Sequence, residues 1–181
     1  HYFYVLTFPT ANKTWVFDAA SNQWHEWLHM NEDGTESRHR GNCFAYWNGK
    51  HMIGDYQTGQ LYEVRTDLFT DDGAPIRRIR GFPHIADDGT RLQYREFQAM
   101  MQVGDGAYGT QPEIRLRWSD TKGRSWSQNI SSSLGNRGQF LKDCRFLRLG
   151  MARSRVFELS WSADCPPALS GADVQIQKCS T

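Results

Sequence analysis

The stretch Thr14-Trp15-Val16-Phe17-Asp18-Ala19-Ala20-Ser21-Asn22-Gln23-Trp24 sets apolar residues in alternation on both sides of an Asp-led break. A period of two is the mark of a strand, because successive side chains leave a pleated backbone on opposite faces. Asp18 stands where its carboxylate can accept N–H groups of the turn that follows, so the stretch reads as strand, Asp-initiated turn, and a second strand led by Trp24. Outward from it, short alternations recur between Gly, Asn and Asp clusters, at Tyr2–Phe8, Gln23–His29, Cys43–Trp47, Lys50–Gly54, Gln60–Val64, Leu92–Val103, Glu113–Trp118, Ser125–Ile130, Cys144–Leu149 and Val156–Ser162. Nowhere does a helical period last beyond about two turns, which makes the chain all-β and suits a sandwich or a propeller.

Internal similarity favours the propeller. Asn48-Gly49 joins two alternating runs, and Asn-Gly is a strong hairpin signal because a type I′ turn needs positive φ at both central residues. The strand led by Trp24 resembles the kelch pattern, with Trp24 expected between packed sheets. Arg117-Trp118-Ser119-Asp120-Thr121-Lys122-Gly123-Arg124-Ser125-Trp126-Ser127 resembles the Asp-box hairpin S-x-D-x-G-x-[ST]-W, matching at Ser119, Gly123, Ser125 and Trp126. Thr121 holds the Asp position, with Asp120 one place early. The expected fold is therefore an all-β propeller of kelch-like and Asp-box-like four-stranded blades spanning residues 1–181. At roughly 40–50 residues per blade the chain supplies about four blades. It is expected to be part of a larger propeller, extended at the N-terminus because His1 opens directly on a strand, with Val174–Gln177 closing the ring. Asp71–Asp88 reads as a connection between blades, and Gly104–Pro112 as a flexible loop.

His25-Glu26-Trp27-Leu28-His29 is a literal H-E-x-x-H. Zinc hydrolases need that spacing on a helix, where positions four apart share one face. On a strand the two imidazoles lie roughly 13 Å apart, so no zinc site is expected. Arg outnumbers Lys by 16 to 5, a bias that suits carboxylate or phosphate partners. Arg77, Arg78 and Arg80, bounded by Pro and Gly, form a candidate partner-facing loop. No calcium loop, phosphate loop or nucleophile elbow occurs, and neither metal nor cofactor is expected. Cys43, Cys144, Cys165 and Cys179 are too widely spaced for metal knuckles; they read as free thiols, a Cys165–Cys179 bridge being the alternative.

The chain has 181 residues, 13% of them aromatic, and a formal net charge of +1. That aromatic content excludes disorder. Near neutrality excludes a strong cationic field over the chain as a whole, so contact with DNA is expected to be weak and sequence-independent. No apolar run is long enough for a membrane helix.

The segments TFPTANKTWVFDAASNQWHE (7–26), RHRGNCFAYWNGKHMIGDYQTGQLYEV (38–64), TDDGAPIRRIRGFPH (70–84), LRWSDTKGRSWS (116–127) and RLGMARSRVFEL (148–159), in that order, resemble the packaged-DNA stabilisation, or tail-hub (head-completion), proteins of short-tailed double-stranded DNA phages. The resemblance implies a structural role with no catalytic residues. Such proteins form a hexameric hub at the portal channel after packaging, keep the genome inside until ejection, and contact the portal or adaptor ring, tailspikes and the tail needle. The implied location is the virion tail, with the host cytoplasm during assembly. A sialidase-like carbohydrate-active propeller and a kelch-type protein-binding adaptor are the competing readings.

Overall fold

The computed structural model describes residues 2–105, 112–163 and 168–179, which fall into two compact units, His1–Thr66 and Asp67–Thr181. Most of the Gly104–Pro112 loop lies outside the described residues, as does Cys165. Cys43, Cys144 and Cys179 carry free thiols.

The first unit consists of β1 (Phe3–Phe8), β2 (Lys13–Asp18), β3 (Gln23–Glu26), β4 (Leu28–Met30), β5 (Glu36–Arg38), β6 (Gly41–Trp47), β7 (Lys50–Asp55) and β8 (Leu61–Glu63). They form two three-stranded meanders, β1-β2-β3 and β6-β7-β8, with the hairpin β4-β5 between them in sequence. The Asn48-Gly49 turn takes the expected positive φ at both residues, 48° and 79°. One local device closes both meanders. Asp18 accepts the Ala20 N–H at 2.9 Å and the Ser21 hydroxyl at 3.0 Å, and Asp55 accepts the N–H groups of Gln57 and Thr58 at 2.5 and 3.1 Å. A positive-φ residue follows four places on in each, Asn22 at 55° and Gly59 at 72°. The sequence signature is D-x-x-[ST]-[NG]-Q, at Asp18–Gln23 and Asp55–Gln60.

The second unit consists of β9 (Thr70–Asp71), β10 (Ala74–Pro75), β11 (Arg78–Gly81), β12 (Ile85–Ala86), β13 (Leu92–Met101), β14 (Glu113–Ser119), β15 (Ile130–Ser133), β16 (Cys144–Leu147), β17 (Met151–Ala152), β18 (Ser154–Trp161) and β19 (Leu169–Lys178). One sheet runs β11-β18-β14-β15, with β12 also on β18; the other places β13 between β19 and the pair β16 and β17. Both sheets turn one apolar face into a shared core. Leu92, Tyr94, Phe97 and Ala99 of β13, with Cys144 and Phe146 of β16, meet Ile114 and Leu116 of β14 and Phe157, Leu159 and Trp161 of β18. The Phe97 ring touches the Phe157, Phe82 and Phe146 rings at centroid distances of 5.1, 5.2 and 6.3 Å. The inward positions of β13 skip from Tyr94 to Phe97 because Arg95 is an extra residue in a bulge, where the register to β19 shifts. That single insertion keeps both halves of a ten-residue strand facing the core.

The propeller expectation is corrected by this arrangement. A propeller blade needs cover on both faces, whereas the strands of the second unit are apolar on one face only and satisfy themselves as two layers. No closed ring and no four-stranded blade meander occurs among the described residues of the first unit. Asp71–Asp88 is more than a connection: it supplies β10, β11 and β12, the latter two hydrogen-bonded to β18. Val174–Gln177 pairs with β13 and not with an early strand. The Gln23–His29 run is broken at Trp27, whose N–H bonds the Thr14 carbonyl at 2.9 Å. Ser125–Ile130 holds no strand before Ile130.

Phe97 is fully buried among three rings, so Phe97→Ala is expected to destabilise the second unit by about 3–5 kcal/mol, read from denaturant midpoints. A loss below about 1 kcal/mol would show that the two sheets do not share this core.

Candidate functional site

The Asp-box-like hairpin folds as such a turn despite its substituted centre. Ser119 is buried, and its hydroxyl accepts the N–H groups of Thr121 and Gly123 at 3.2 and 2.8 Å. The Thr121 hydroxyl accepts the Ser125 N–H at 2.8 Å and lies 2.8 Å from the Ser125 hydroxyl. A hydroxyl thus serves the backbone where a carboxylate was expected, and Asp120 is released for other work.

That work is the neutralisation of Arg155. The Arg155 side chain is 2% exposed, and a buried guanidinium must be paired and hydrogen-bonded to be tolerated. Asp120 grips it in a fork, at 2.6 Å from Nε and 2.8 Å from Nη2, while Nη1 donates to the Leu149 carbonyl at 2.5 Å. The guanidinium also lies 4.4 Å from the Tyr94 ring centroid and 5.1 Å from that of Trp118. Burial pushes the Tyr94 phenol above its ordinary 10.0, against the lowering pull of Arg155. Arg155 ties the hairpin, the turn after β16 and both sheets together at one point. The sequence reading missed it; the usable signal was the carboxylate one place early.

Trp126 is half-buried under Arg117, whose guanidinium stands 4.6 Å from the ring and whose Nε donates to Glu158 at 2.6 Å. Trp24 is 50% exposed and leans on Phe17 at 5.3 Å, which corrects its expected interior place. With Tyr4 paired to Phe17 and Phe17 to Trp24 across the strands, an aromatic row crosses the whole outer face of β1-β2-β3. On β6-β7-β8, Phe44 and Tyr46 flank His51 on one face, and Trp47 and Leu61 are 70% exposed. Among the described residues of the first unit the buried apolar side chain is Val16, and the other buried side chains are Thr14, Asp18, Arg38 and Asp55. Exposed aromatic faces of this extent mark contact surfaces.

Arg78 and Arg80 lie on β11 and Arg77 just before it. Arg78 donates to the Ile76 and Ala163 carbonyls, each at 3.3 Å; the run is an edge strand, not a loop. His25 and Glu26 lie on β3 and His29 on β4, and Lys13 engages Glu26. Among the described residues no group of three or more His, Cys, Asp or Glu could hold a metal.

The model of the family Bacteriophage P22 Gp10, beta-sandwich, matches residues 77–177. The chain belongs to this family. The match covers more than half of the chain and falls within the second unit, whose two layers it describes. This is a structural protein of a phage tail, placed with the virion. No curated protein matches the chain. In this Gp10-family sandwich the sequence-marked residues build turns and an edge, and the Asp120–Arg155 clasp is the element they surround.

Asp120 is 41% exposed while its partner is buried. Asp120→Ala leaves Arg155 without its counter-ion and is expected to cost about 2–3 kcal/mol, with Trp24→Ala below it because that ring is half in solvent. A thermal midpoint of Asp120→Ala equal to that of the parent would contradict the clasp. In the first unit, the Ala20 N–H chiefly holds the Asp18 carboxyl below its ordinary 3.8. At Asp55 burial pulls upward, but the Gln57 and Thr58 N–H groups outweigh it and the carboxyl is again lowered. Folding therefore favours the ionised forms. Their stabilisation is whole above the ordinary value of 3.8 and drains away as pH falls through the depressed folded values. Acid unfolding of this unit, followed by Trp fluorescence, is expected to depend less steeply on pH in Asp18→Asn/Asp55→Asn, the remainder coming from Asp33, whose carboxyl the Thr35 hydroxyl and N–H also hold low; an unchanged profile would place the transition elsewhere.

Proposed function

We propose that this chain is the tail-hub component that closes the portal channel after packaging, stabilises the packaged DNA, and takes part in tail assembly and genome ejection. The family match over 77–177 carries this reading, and the order of the five hub-like segments along the chain supports it. It acts by shape and contact and not by catalysis. The exposed aromatic faces of the first unit suit that role, since aromatic side chains carry much of the energy of protein interfaces. Its partners in this proposal are further copies of itself in a hexamer, the portal or adaptor ring, the tailspike and the tail needle, with at most weak contact to DNA.

Full-length protein added to portal-bearing heads lacking it is expected to restore tail addition and DNA retention, with six copies per particle by quantitative mass spectrometry. Heads that retain DNA and add tails equally well without the protein would overturn the proposal. A double variant Trp24→Ala/Tyr46→Ala is expected to remain folded yet add poorly.

A further inference from the structure

The net charge of +1 conceals a segregation. The first unit carries five Lys and Arg against seven Asp and Glu, the second sixteen against thirteen. Within the second unit the imbalance collects at one end. Arg155 ties Asp120 to Leu149; Ala86 pairs with Ser154; Arg153 donates to the Gly89 carbonyl at 3.2 Å; Leu92 pairs with both Ala152 and Lys178. These links gather the segments 82–91, 119–127 and 148–153 at the same end of the sandwich. Here Lys178 takes Asp87 at 2.8 Å and Arg155 takes Asp120. Arg91, Arg95, Lys122, Arg124, Arg148 and Arg153 are exposed and meet no carboxylate among the described residues, against one acid, Asp88, left over.

Two of these cations are held side by side by unusual backbone. Arg95 is the extra residue of the β13 bulge, and bulges re-aim side chains. Arg148 has φ of 60°, a conformation uncommon outside Gly, Asn and Asp. The Arg148 N–H donates to the Arg95 carbonyl at 3.0 Å, and both side chains border an open depression with Gln93, Tyr94, Gly150 and Leu147, the last 59% exposed. The same irregularities keep Tyr94 and Leu149 in the core, and on the outer side they bring two like charges together beside an exposed apolar residue.

We infer that the Arg95–Arg148 depression is a docking site for an acidic segment of a partner protein, taking its carboxylates on the two guanidiniums and an apolar side chain against Leu147. This rests on the reading of the chain as an assembling tail component and gives one partner surface its chemistry. Arg suits carboxylate recognition through its planar fork, the other four cations add an attracting field, and exposed Leu147 favours a peptide over a phosphate backbone.

The test measures anisotropy of a labelled peptide of alternating Glu and Leu, and of a short DNA duplex, on the whole chain between about 50 and 200 mM salt. Peptide binding is expected, weakening with salt, and falling at least about tenfold in Arg95→Glu/Arg148→Glu. Arg148→Gly, which suits the positive φ, controls for folding and is expected to lose binding while keeping the thermal midpoint. Arg77→Glu/Arg80→Glu is expected to bind as the parent does. No peptide binding, binding untouched by the charge reversals, or tighter binding of the duplex than of the peptide would overturn the inference, the last in favour of a nucleic-acid surface. Intact peptide binding in a protein that heads do not need would remove the hub reading and leave the docking site standing.

Discussion

The second unit depends on a constraint of pattern: its long strands have one apolar face each. A strand of that kind can hide its apolar side chains only against another sheet, so β13 and β16 must find β14 and β18, and the contact of Phe97 with Phe157 marks where they meet. Everything at the end of the sandwich follows. With the core faces committed, the charged residues fall to the outer strand faces and the turns, and the guanidinium drawn inside at Arg155 needs the fork that Asp120 provides.

All-β character, the I′ turn at Asn48-Gly49 and the Asp18 turn were legible because each is a local matter of side-chain period, backbone sign and short-range hydrogen bonding. The two-layer arrangement was also written in Glu113–Trp118 and Val156–Ser162, whose alternation is clean, but a period of two does not say what covers the apolar face. Repeated turns then suggested blades. The bulge at Arg95 was hidden because an inserted residue looks like a fault in the alternation. The clasp was hidden because Asp120 and Arg155 are 35 residues apart, and no local rule links them. Trp24 was misplaced for a related reason: a large ring signals burial in general, while this one is covered only in part by the neighbouring Phe17 ring.

The two units divide the chemistry of contact between them. The first has almost no apolar interior and displays rings; the second has a closed core and displays charge. Association through rings releases water and depends little on salt, whereas association through guanidiniums is fast, directional and salt-sensitive.

The edge at β11 has a bearing on how such a molecule waits for its partners. Arg78 and Arg80 stand opposite Trp161 and Leu159 in the register, so their side chains leave the strand on the side of the sheet that faces the core. A second molecule adding its own strand at this margin would have to cover charged side chains. Open margins of sheets are templates for runaway stacking, and charges turned inward are a recognised guard. Sheet-to-sheet joining into fibres is disfavoured at this margin by the strand's own charges.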